Sequence, residues 1–333
     1  MRAVMMVPGS TGAAMELREV PEPTPGPREV IVAVRAAALN RGEIARRRTL
    51  TRGEPVISGI ECAGEVVALG DEVTTVATGV RVMAQAARCY AERVAIDERL
   101  LMPVPDAFSW EEAGAFPNTF VTAHDAIVTN GGLARGESVL VNAASSGIGV
   151  IAIQIAKHCG ASPVIATTTS PTKIPALEQV GADIVIDVAS VSAQEDIRHA
   201  TSGRGVDLVV DSVGAAAFGA NMGALSIGGR LIGVGRLGGR HAEIDLDLLA
   251  LKRLKLIGVT FRTRSTEEKL ACTSACLRDL GRPLAEGVFR PIIDRVLPLE
   301  EIDAAHRYME QDAHLGKIVL SVSNGPSAEG DAG

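Results

Sequence analysis

Aromatic side chains are scarce in this chain of 333 residues, where one Trp, two Tyr and six Phe make up 3% of the total. Proteins that bind single-stranded nucleic acid stack its bases on aromatic rings, so the composition disfavours that function. An excess of positive charge is also missing, because 33 Lys and Arg stand against 40 Asp and Glu. The net charge of −7 offers no electrostatic attraction for nucleic acid or an anionic membrane, and we expect neither as a partner.

Long apolar runs and an even set of cysteines are absent as well. No stretch reaches the roughly 20 apolar residues that a membrane-spanning helix needs, and the first residues lack a long apolar region typical of a signal peptide. The five cysteines are scattered along the chain, and an odd number argues against a disulfide framework. These features predict a cytoplasmic protein.

The chain does have 47% apolar residues, which fits a globular protein with a substantial core, and its 333 residues are enough for one large domain or two ordinary ones. Its first 105 or so residues contain short β-rich runs separated by Gly and Pro, and Ser109 with Glu112 forms a capping-box pattern that predicts a helix start. From about residue 125 to 265, apolar strands alternate with helical patterns. The alternation predicts an α/β fold with a parallel sheet covered on both faces.

Three later patterns predict helices, and one segment predicts disorder. The helical stretches are TKIPALEQVG (172–181), in which we expect Pro175 to weaken the helix, AAFGANMGALSIGG (216–229) and TEEKLACTSACLRDL (266–280). A strand, GKIVLSV (316–322), follows near the end, and about ten polar and small residues after it predict a disordered tail.

The stretch SVLVNAASSGIGVIAIQIAKHCGA (138–161) changes from a strand pattern to a helix pattern at a cluster of small residues. Small residues at such a turn let a diphosphate approach the unpaired N–H groups and the positive end of the helix. Ala144 and Ser146 occupy the first two glycine positions of a G-x-G-x-x-G fingerprint, so a purely structural turn is an open alternative. The candidate cofactor-binding residues are Ala144, Ser145, Ser146, Gly147, Ile148 and Gly149.

The end of the next strand bears on which dinucleotide would bind. Folds that bind NAD usually place Asp or Glu there, whereas this chain has the run Thr167-Thr168-Thr169-Ser170, followed by Lys173. Hydroxyl groups and a lysine suit a 2′-phosphate, which a carboxylate would repel. We therefore expect NADPH, bound with Thr168, Thr169, Ser170 and Lys173, although Lys173 as a solvated helix residue is the alternative.

With that fold expected, further motifs resemble the medium-chain dehydrogenase/reductase superfamily, and within it the zinc-independent quinone oxidoreductases related to zeta-crystallin. The matching stretches are AALNRGEIARR (37–47), GIECAGEVVALGDEVT (59–74), LLMPVPDAFSWEEAGAFP (100–117), AASSGIG (143–149), GADIVIDV (181–188), DSVG (211–214), GGRLIGVG (228–235) and HLGKIVL (314–320). The resemblance implies a GroES-like, β-rich catalytic domain (1–122 and 265–333) and a doubly wound Rossmann domain (123–264). It also implies a dimer or a tetramer, of which we expect a homodimer.

The resemblance also bears on zinc. Zinc-dependent relatives use a Cys in the segment matching 37–45 and a His before Glu, and this chain has Leu39-Asn40 and Ile60-Glu61 there. Cys272 and Cys276, four residues apart, are more simply explained as buried thiols on a helix. We predict no metal site.

By resemblance, Asn40 and Thr122 are the candidate catalytic residues near the nicotinamide, with a turn-forming Asn and a helix-face Thr as alternatives. Further cofactor-binding candidates by resemblance are Gly233, Val234, Arg262, Arg264, Gly316 and Lys317. Surface arginines and a strand-edge lysine are the competing interpretations. His124 and His306 lie in helical patterns and are expected to be surface or capped histidines and not catalytic ones.

These expectations lead to an NADPH-dependent quinone oxidoreductase, in which hydrogen-bond donors stabilise the oxyanion formed by hydride transfer and water supplies the proton. An enoyl or other activated-alkene reductase is the alternative, but such relatives tend to carry Tyr where this chain has Arg41. An NADPH-binding protein without turnover also stays open. The expected partner is a small quinone, activated carbonyl or alkene.

Overall fold

A computed structural model of the chain describes residues 1–323. The chain divides into two compact units, one formed by residues 1–118 and those from 273 onward, the other by residues 119–272. The predicted tail lies outside the described residues. Among the described helices, none combines the length and apolar character required to cross a membrane.

The regular elements of both units follow in chain order. The strands are β1 (Arg2–Val7), β2 (Ala14–Glu19), β3 (Glu29–Ala38), β4 (Val56–Ile57), β5 (Cys62–Leu69), β6 (Arg81–Ala84), β7 (Arg93–Asp97), β8 (Leu101–Pro103), β9 (Val139–Val141), β10 (Val164–Thr168), β11 (Ile184–Asp187), β12 (Val206–Asp211), β13 (Leu225–Gly233), β14 (Lys255–Gly258), β15 (Ile293–Pro298) and β16 (Lys317–Ser321). The helices are α1 (Arg41–Thr49), α2 (Trp110–Gly114), α3 (Pro117–His124), α4 (Gly147–His158), α5 (Ile174–Val180), α6 (Ala193–Ala200), α7 (Ala215–Ala224), α8 (Leu246–Leu251), α9 (Thr266–Ala285) and α10 (Ile302–Glu310).

The first unit is built on mainly antiparallel sheets. One sheet has the order β2-β1-β4, and the larger has the order β15-β16-β3-β5-β6-β8, with β7 also paired to β3. The chain returns from the second unit to add β16 antiparallel to β3, with Val319 opposite Ala38. This pairing brings the start of β16 beside the end of β3, where Leu39 and Asn40 follow.

The second unit is a parallel sheet of six strands in the order β11-β10-β9-β12-β13-β14, with helices in the connections. Numbered from β9, this is the order 3-2-1-4-5-6 of a doubly wound sheet, whose strand order reverses between β9 and β12. Apolar residues that are register partners across neighbouring strands, Leu140, Ile165, Val209 and Leu231, form part of its core. The expected α/β fold with a β-rich part and a Rossmann part is confirmed.

The helix predictions have mixed outcomes. The capping box of Ser109 and Glu112 is present, with both reciprocal hydrogen bonds. Pro175 does not weaken its helix, because it lies in the first turn of α5, where a missing N–H costs nothing. The helix predicted over 216–229 is wrong beyond Ala224, because Leu225–Gly233 forms β13, paired in parallel with β12.

Candidate active site

The turn between β9 and α4 has the geometry of an anion-binding helix start. Ser146 is the N-cap of α4, and its hydroxyl accepts a hydrogen bond from the Gly149 N–H at 3.1 Å. Within residues 1–323, the N–H groups of Gly147 and Ile148 have no backbone acceptor. Two free donors and the positive end of a helix of 12 residues therefore face the space beyond the turn.

Close packing between the turn and the helix explains the residue types found there. A Cβ added to Gly149 would lie 2.5 Å from the Ala144 carbonyl oxygen, so the helix approaches the turn only because position 149 is glycine. Ala143 has a φ of 51°, a left-handed conformation that is strained for a residue with a side chain. Ala144 is fully buried.

The end of β10 carries the expected hydroxyl groups. Thr168 is buried and its Oγ1 accepts a hydrogen bond from the Ser170 N–H at 3.1 Å, whereas Thr169 is exposed. Lys173 is half-buried in a short 3-10 turn (Pro171–Lys173). Asp187 on the neighbouring β11 pairs with Thr168 in register, so a carboxylate also lies at this edge of the sheet.

A buried polar network that the sequence reasoning missed joins the ends of the central strands. Asn142 donates from Nδ2 to the Asn221 Oδ1 at 2.6 Å and accepts from the Thr167 hydroxyl at 2.8 Å. Asp211 accepts from the Val213 and Gly214 N–H groups, both at 2.9 Å, and burial raises the pKa of its carboxyl. The network holds the turn after β9 against β10 and β12.

The remaining candidate site residues of the second unit differ in burial and in hydrogen-bond partners. Gly233 ends β13, and the Val234 N–H donates to the Asp211 carbonyl at 2.8 Å. Thr122 is buried in α3. Arg262 is exposed, and Arg264 pairs with Asp125 at 2.7 Å. The roles of these five candidates stay predictions, and Arg264 would have to share its guanidinium with Asp125.

In the first unit, Asn40 and Lys317 meet in a buried cluster. The Lys317 ammonium donates to the Leu39 carbonyl at 2.7 Å, to Asn40 Oδ1 at 2.9 Å and to Glu61 Oε1 at 2.7 Å. Only 5% of the Lys317 side chain and none of the Glu61 side chain is exposed. The lysine is therefore an internal cation paired with an internal carboxylate and not a strand-edge charge.

The cluster continues through two further amides. Asn40 donates to Glu61 Oε1 at 2.8 Å, and Asn118 donates from its side chain to Asn40 Oδ1 at 2.8 Å. The Asn118 backbone N–H donates to Glu61 Oε2 at 2.9 Å, and Gln85 donates to Asn118 Oδ1 at 2.5 Å. The sequence reasoning missed Glu61 as a site residue, together with Asn118 and Gln85. Of these three residues, only Glu61 lay in a stretch that the sequence comparison had singled out, GIECAGEVVALGDEVT (59–74).

Gly316 explains why the lysine can reach this position. Its φ is 80°, and an added Cβ would lie 2.2 Å from the Ile292 carbonyl oxygen. A side chain at 316 would therefore clash with the backbone before β15, and only glycine lets the chain enter β16 here. In the expected pair, Gly316 thus allows the backbone conformation that places the Lys317 ammonium in the interior. Its contact with a cofactor stays a prediction.

A second buried carboxylate lies next to the cluster. Glu43 accepts hydrogen bonds from the Tyr90 hydroxyl at 2.6 Å, the Asn40 N–H at 3.1 Å and the Gly59 N–H at 3.0 Å. Burial raises the pKa of Glu43 to about 7, although the hydrogen bond from Tyr90 and the charge of Lys317 oppose the rise. Burial and the nearby Glu43 raise the pKa of Tyr90 well above its usual value.

Candidate metal ligands do not converge in the part of the chain that the structure describes, where no three His, Cys, Asp or Glu side chains form a metal-binding group. None of the five cysteines forms a disulfide. Cys272 lies beside Arg264 and Asp125, and burial together with Asp125 raises the pKa of its thiol.

Comparisons with known proteins agree across both units. Residues 26–131 match the family model of the alcohol dehydrogenase GroES-like domain, and residues 147–274 match the model described as zinc-binding dehydrogenase. A phenolphthiocerol/phthiocerol polyketide synthase component of Mycobacterium tuberculosis is 31% identical over 95% of this chain, which spans only 14% of that relative. Quinone oxidoreductase-like protein 2 of Mus musculus is 28% identical, over 92% of this chain and 89% of the relative.

Two solved structures extend the likeness to the whole fold. A structure described as an NAD-dependent alcohol dehydrogenase has a TM-score of 0.87 and 33% identity, covering 97% of this chain and 100% of the other. A mycobacterial protein complexed with NADPH has a TM-score of 0.84 and 28% identity, covering 96% of this chain and 100% of the other.

Proposed function

Because the chain belongs to the medium-chain dehydrogenase/reductase superfamily, where it resembles the quinone oxidoreductase branch, we propose that it is an NADPH-dependent quinone oxidoreductase. The superfamily makes it an oxidoreductase that acts on small molecules. The observation that carries the finer proposal is the joint presence of the open helix start at Ser146 and the saturated cluster around Lys317. The first suits a dinucleotide, and the second suits chemistry without a metal.

The residues present fit a nicotinamide dinucleotide. The N–H groups of Gly147 and Ile148 would bind the diphosphate, and the close approach at Gly149 keeps them accessible. Thr168, Thr169, Ser170 and Lys173 support NADPH over NADH, as does the related structure complexed with NADPH. Two observations argue against NADPH and for NADH. Asp187 lies beside Thr168, and one related structure is described as NAD-dependent.

The cofactor, when bound, supplies the hydride, and the protein's task is to orient and to stabilise charge. In this proposal Asn40 and Thr122 stay the candidate catalytic residues. Asn40 is half-buried, and its side-chain amide is held by Lys317, Glu61 and Asn118, so its orientation is set before any ligand arrives. Water supplies the proton that converts the oxyanion to the hydroxyl.

Independence of zinc is part of the proposal. Leu39 and Ile60 stand where zinc-dependent relatives carry ligands, and the Lys317 ammonium already neutralises Glu61. A divalent cation added beside that ammonium would meet repulsion, and the described residues bring no three His, Cys, Asp or Glu side chains together to hold it.

An enoyl or activated-alkene reductase is the second candidate. The likeness to a polyketide synthase covers 95% of the chain at 31% identity, and several other matches are polyketide synthases as well. In these relatives the matching region is a small part of a long enzyme. Enoyl reductases of the superfamily tend to carry Tyr at the position of Arg41, and its absence is the reason that we favour quinone reduction over this second candidate.

The assembly and the compartment are proposals too. We propose a homodimer formed through β14, the edge strand of the parallel sheet, which carries the exposed Leu256. The five cysteines form no disulfide, which supports a reducing compartment, the cytoplasm.

The test compares oxidation of NADPH and NADH with 1,4-benzoquinone, 9,10-phenanthrenequinone, an enone and an enoyl thioester, before and after chelation. We expect quinone turnover with NADPH that survives the chelator. Faster turnover of the enoyl thioester would move the second candidate to first place. Loss of turnover on chelation would refute zinc independence, and cofactor binding without any turnover would leave a cofactor-binding protein.

A further inference from the structure

The hydrogen bonds of Lys317 and Asn40 within this cluster are saturated. The three protons of the Lys317 ammonium go to Leu39, Asn40 and Glu61. The Asn40 amide donates twice, to Ala38 and Glu61, and its oxygen accepts twice. Neither group can take a new partner without releasing an existing one.

The spare capacity lies at Gln85. This residue directly follows β6 and is half-buried, and one Nε2 proton goes to Asn118 Oδ1 at 2.5 Å. Its second Nε2 proton and its Oε1 have no partner among residues 1–323. Asn118 also has a spare amide proton, but only 8% of that residue is exposed. A ligand from outside therefore meets Gln85 first.

The charge of Lys317 also sets which way the Gln85 amide points. The ammonium attracts Asn40 Oδ1, so Asn40 turns its NH₂ group to Glu61. Asn118 donates to the same Asn40 oxygen and so presents its own Oδ1 to Gln85. Gln85 must therefore donate from its NH₂ group to the Asn118 oxygen. Its second N–H, at the end of the series Asn40, Asn118 and Gln85, is then an oriented donor without a partner among the described residues.

We propose that Gln85 binds the carbonyl oxygen of the electron-accepting substrate through this second N–H. The proposal rests on the proposed function as a hydride-transferring reductase. When hydride from NADPH adds to a quinone or enone, the electron pair moves to the carbonyl oxygen, and NADP⁺ remains. The N–H of Gln85 stabilises that oxyanion until water protonates it. A free N–H donor selects substrates whose reacting end is a hydrogen-bond acceptor.

The experiment measures kcat and KM for a quinone and an enone with Gln85→Leu and Gln85→Glu, beside Gln179→Leu, which changes an exposed glutamine of α5. We expect both Gln85 variants to lower kcat/KM by about 10- to 100-fold, with the NADPH dissociation constant within about twofold of wild type. The control should match wild type. In Gln85→Glu the activity should recover as the pH falls, because a protonated carboxyl regains a donor.

Unchanged kcat/KM in both Gln85 variants would overturn the proposal. An equal loss of NADPH affinity would also overturn it, because Gln85 would then act only by supporting the structure. If wild type turns over no acceptor, calorimetric titration of the NADP⁺-loaded protein with the quinone separates the two claims. Binding weakened about three- to tenfold by Gln85→Leu supports the contact while the proposed function fails. Absence of binding to wild type refutes both.

Discussion

Lys317 and Glu61 form an ion pair that is almost wholly removed from water. Taking two charges out of water costs more than one attraction returns, unless further hydrogen bonds satisfy the remaining donors and acceptors. Here the amides of Asn40 and Asn118 supply those bonds. The pair is therefore tolerated because the cluster is complete, and removing one member should be severe.

We predict that Lys317→Met lowers the free energy of unfolding by about 3–5 kcal/mol, because Glu61 is left as a buried unpaired charge. The matched change Arg48→Met breaks an ion pair with Glu310 whose side chains are 68% and 36% exposed. It should cost less than about 1 kcal/mol. Urea unfolding of both variants measures the difference. Equal costs would show that the pair is not the stabilising feature.

Glu43 gives a prediction about pH. Its pKa of about 7 in the folded protein lies above its usual value of 4.5, so the fold favours the protonated form. Stability from this residue is complete below about pH 4.5 and is lost as the pH rises through about 7. We expect Glu43→Gln, which stays neutral, to remove a loss on the order of 3 kcal/mol between pH 5 and pH 8.

The measurement is urea unfolding of wild type and Glu43→Gln at both pH values. Glu54→Gln changes an exposed carboxyl and should keep the wild-type pH dependence. The same pH dependence in Glu43→Gln as in wild type would assign the loss to another group.

At the scale of elements, α4 depends on a glycine at one position and a cap at another. Gly149 is needed because the helix packs on the Ala144 carbonyl, and Ser146 satisfies the Gly149 N–H. The small-residue turn could be predicted from the sequence, because the close packing at Gly149 and the cap at Ser146 both depend on residues within a few positions. The end of α7 could not be predicted from the sequence, because Leu225 begins β13 by pairing with Val206 of β12. Such strand pairing depends on the tertiary structure.

We predict that Gly149→Ala weakens NADPH binding by at least about tenfold, because the added Cβ pushes the helix start away from the turn. Gly223→Ala is the control, since a Cβ there meets nothing within 4 Å, and alanine favours the helix by up to about 1 kcal/mol. Fluorescence titration with NADPH measures both. Wild-type affinity in Gly149→Ala would refute the role of the turn.

The whole molecule exposes apolar side chains on the edge strand of its parallel sheet and on the helix that precedes that strand. Leu256 on β14 is 39% exposed, and Leu246 and Leu251 on α8 are 66% and 76% exposed. An edge strand with free backbone groups and apolar side chains is a natural site for pairing with a second copy of the same strand. The proposed dimer does not depend on which substrate the protein uses.

We predict that Leu256→Lys converts the proposed dimer to a monomer, because it replaces an apolar side chain of the edge strand by a second charge beside Lys255. Leu17→Lys places the same charge on β2, an edge strand with an equally exposed leucine (39%), and should leave the dimer intact. Sedimentation velocity at micromolar concentration distinguishes the species. A wild-type monomer would refute the dimer itself.

The sequence by itself determined the features whose causes lie within a few residues. These are the alternation of strands and helices, the capping box at Ser109 and the small-residue turn before α4. Only the tertiary structure decided the partners of Lys317. Its ammonium meets Glu61 across 256 residues and Asn40 across 277 residues, because β16 returns to pair with β3. No local pattern encodes such a meeting, since the cost of burying a charge is offset by groups that only the completed fold brings together.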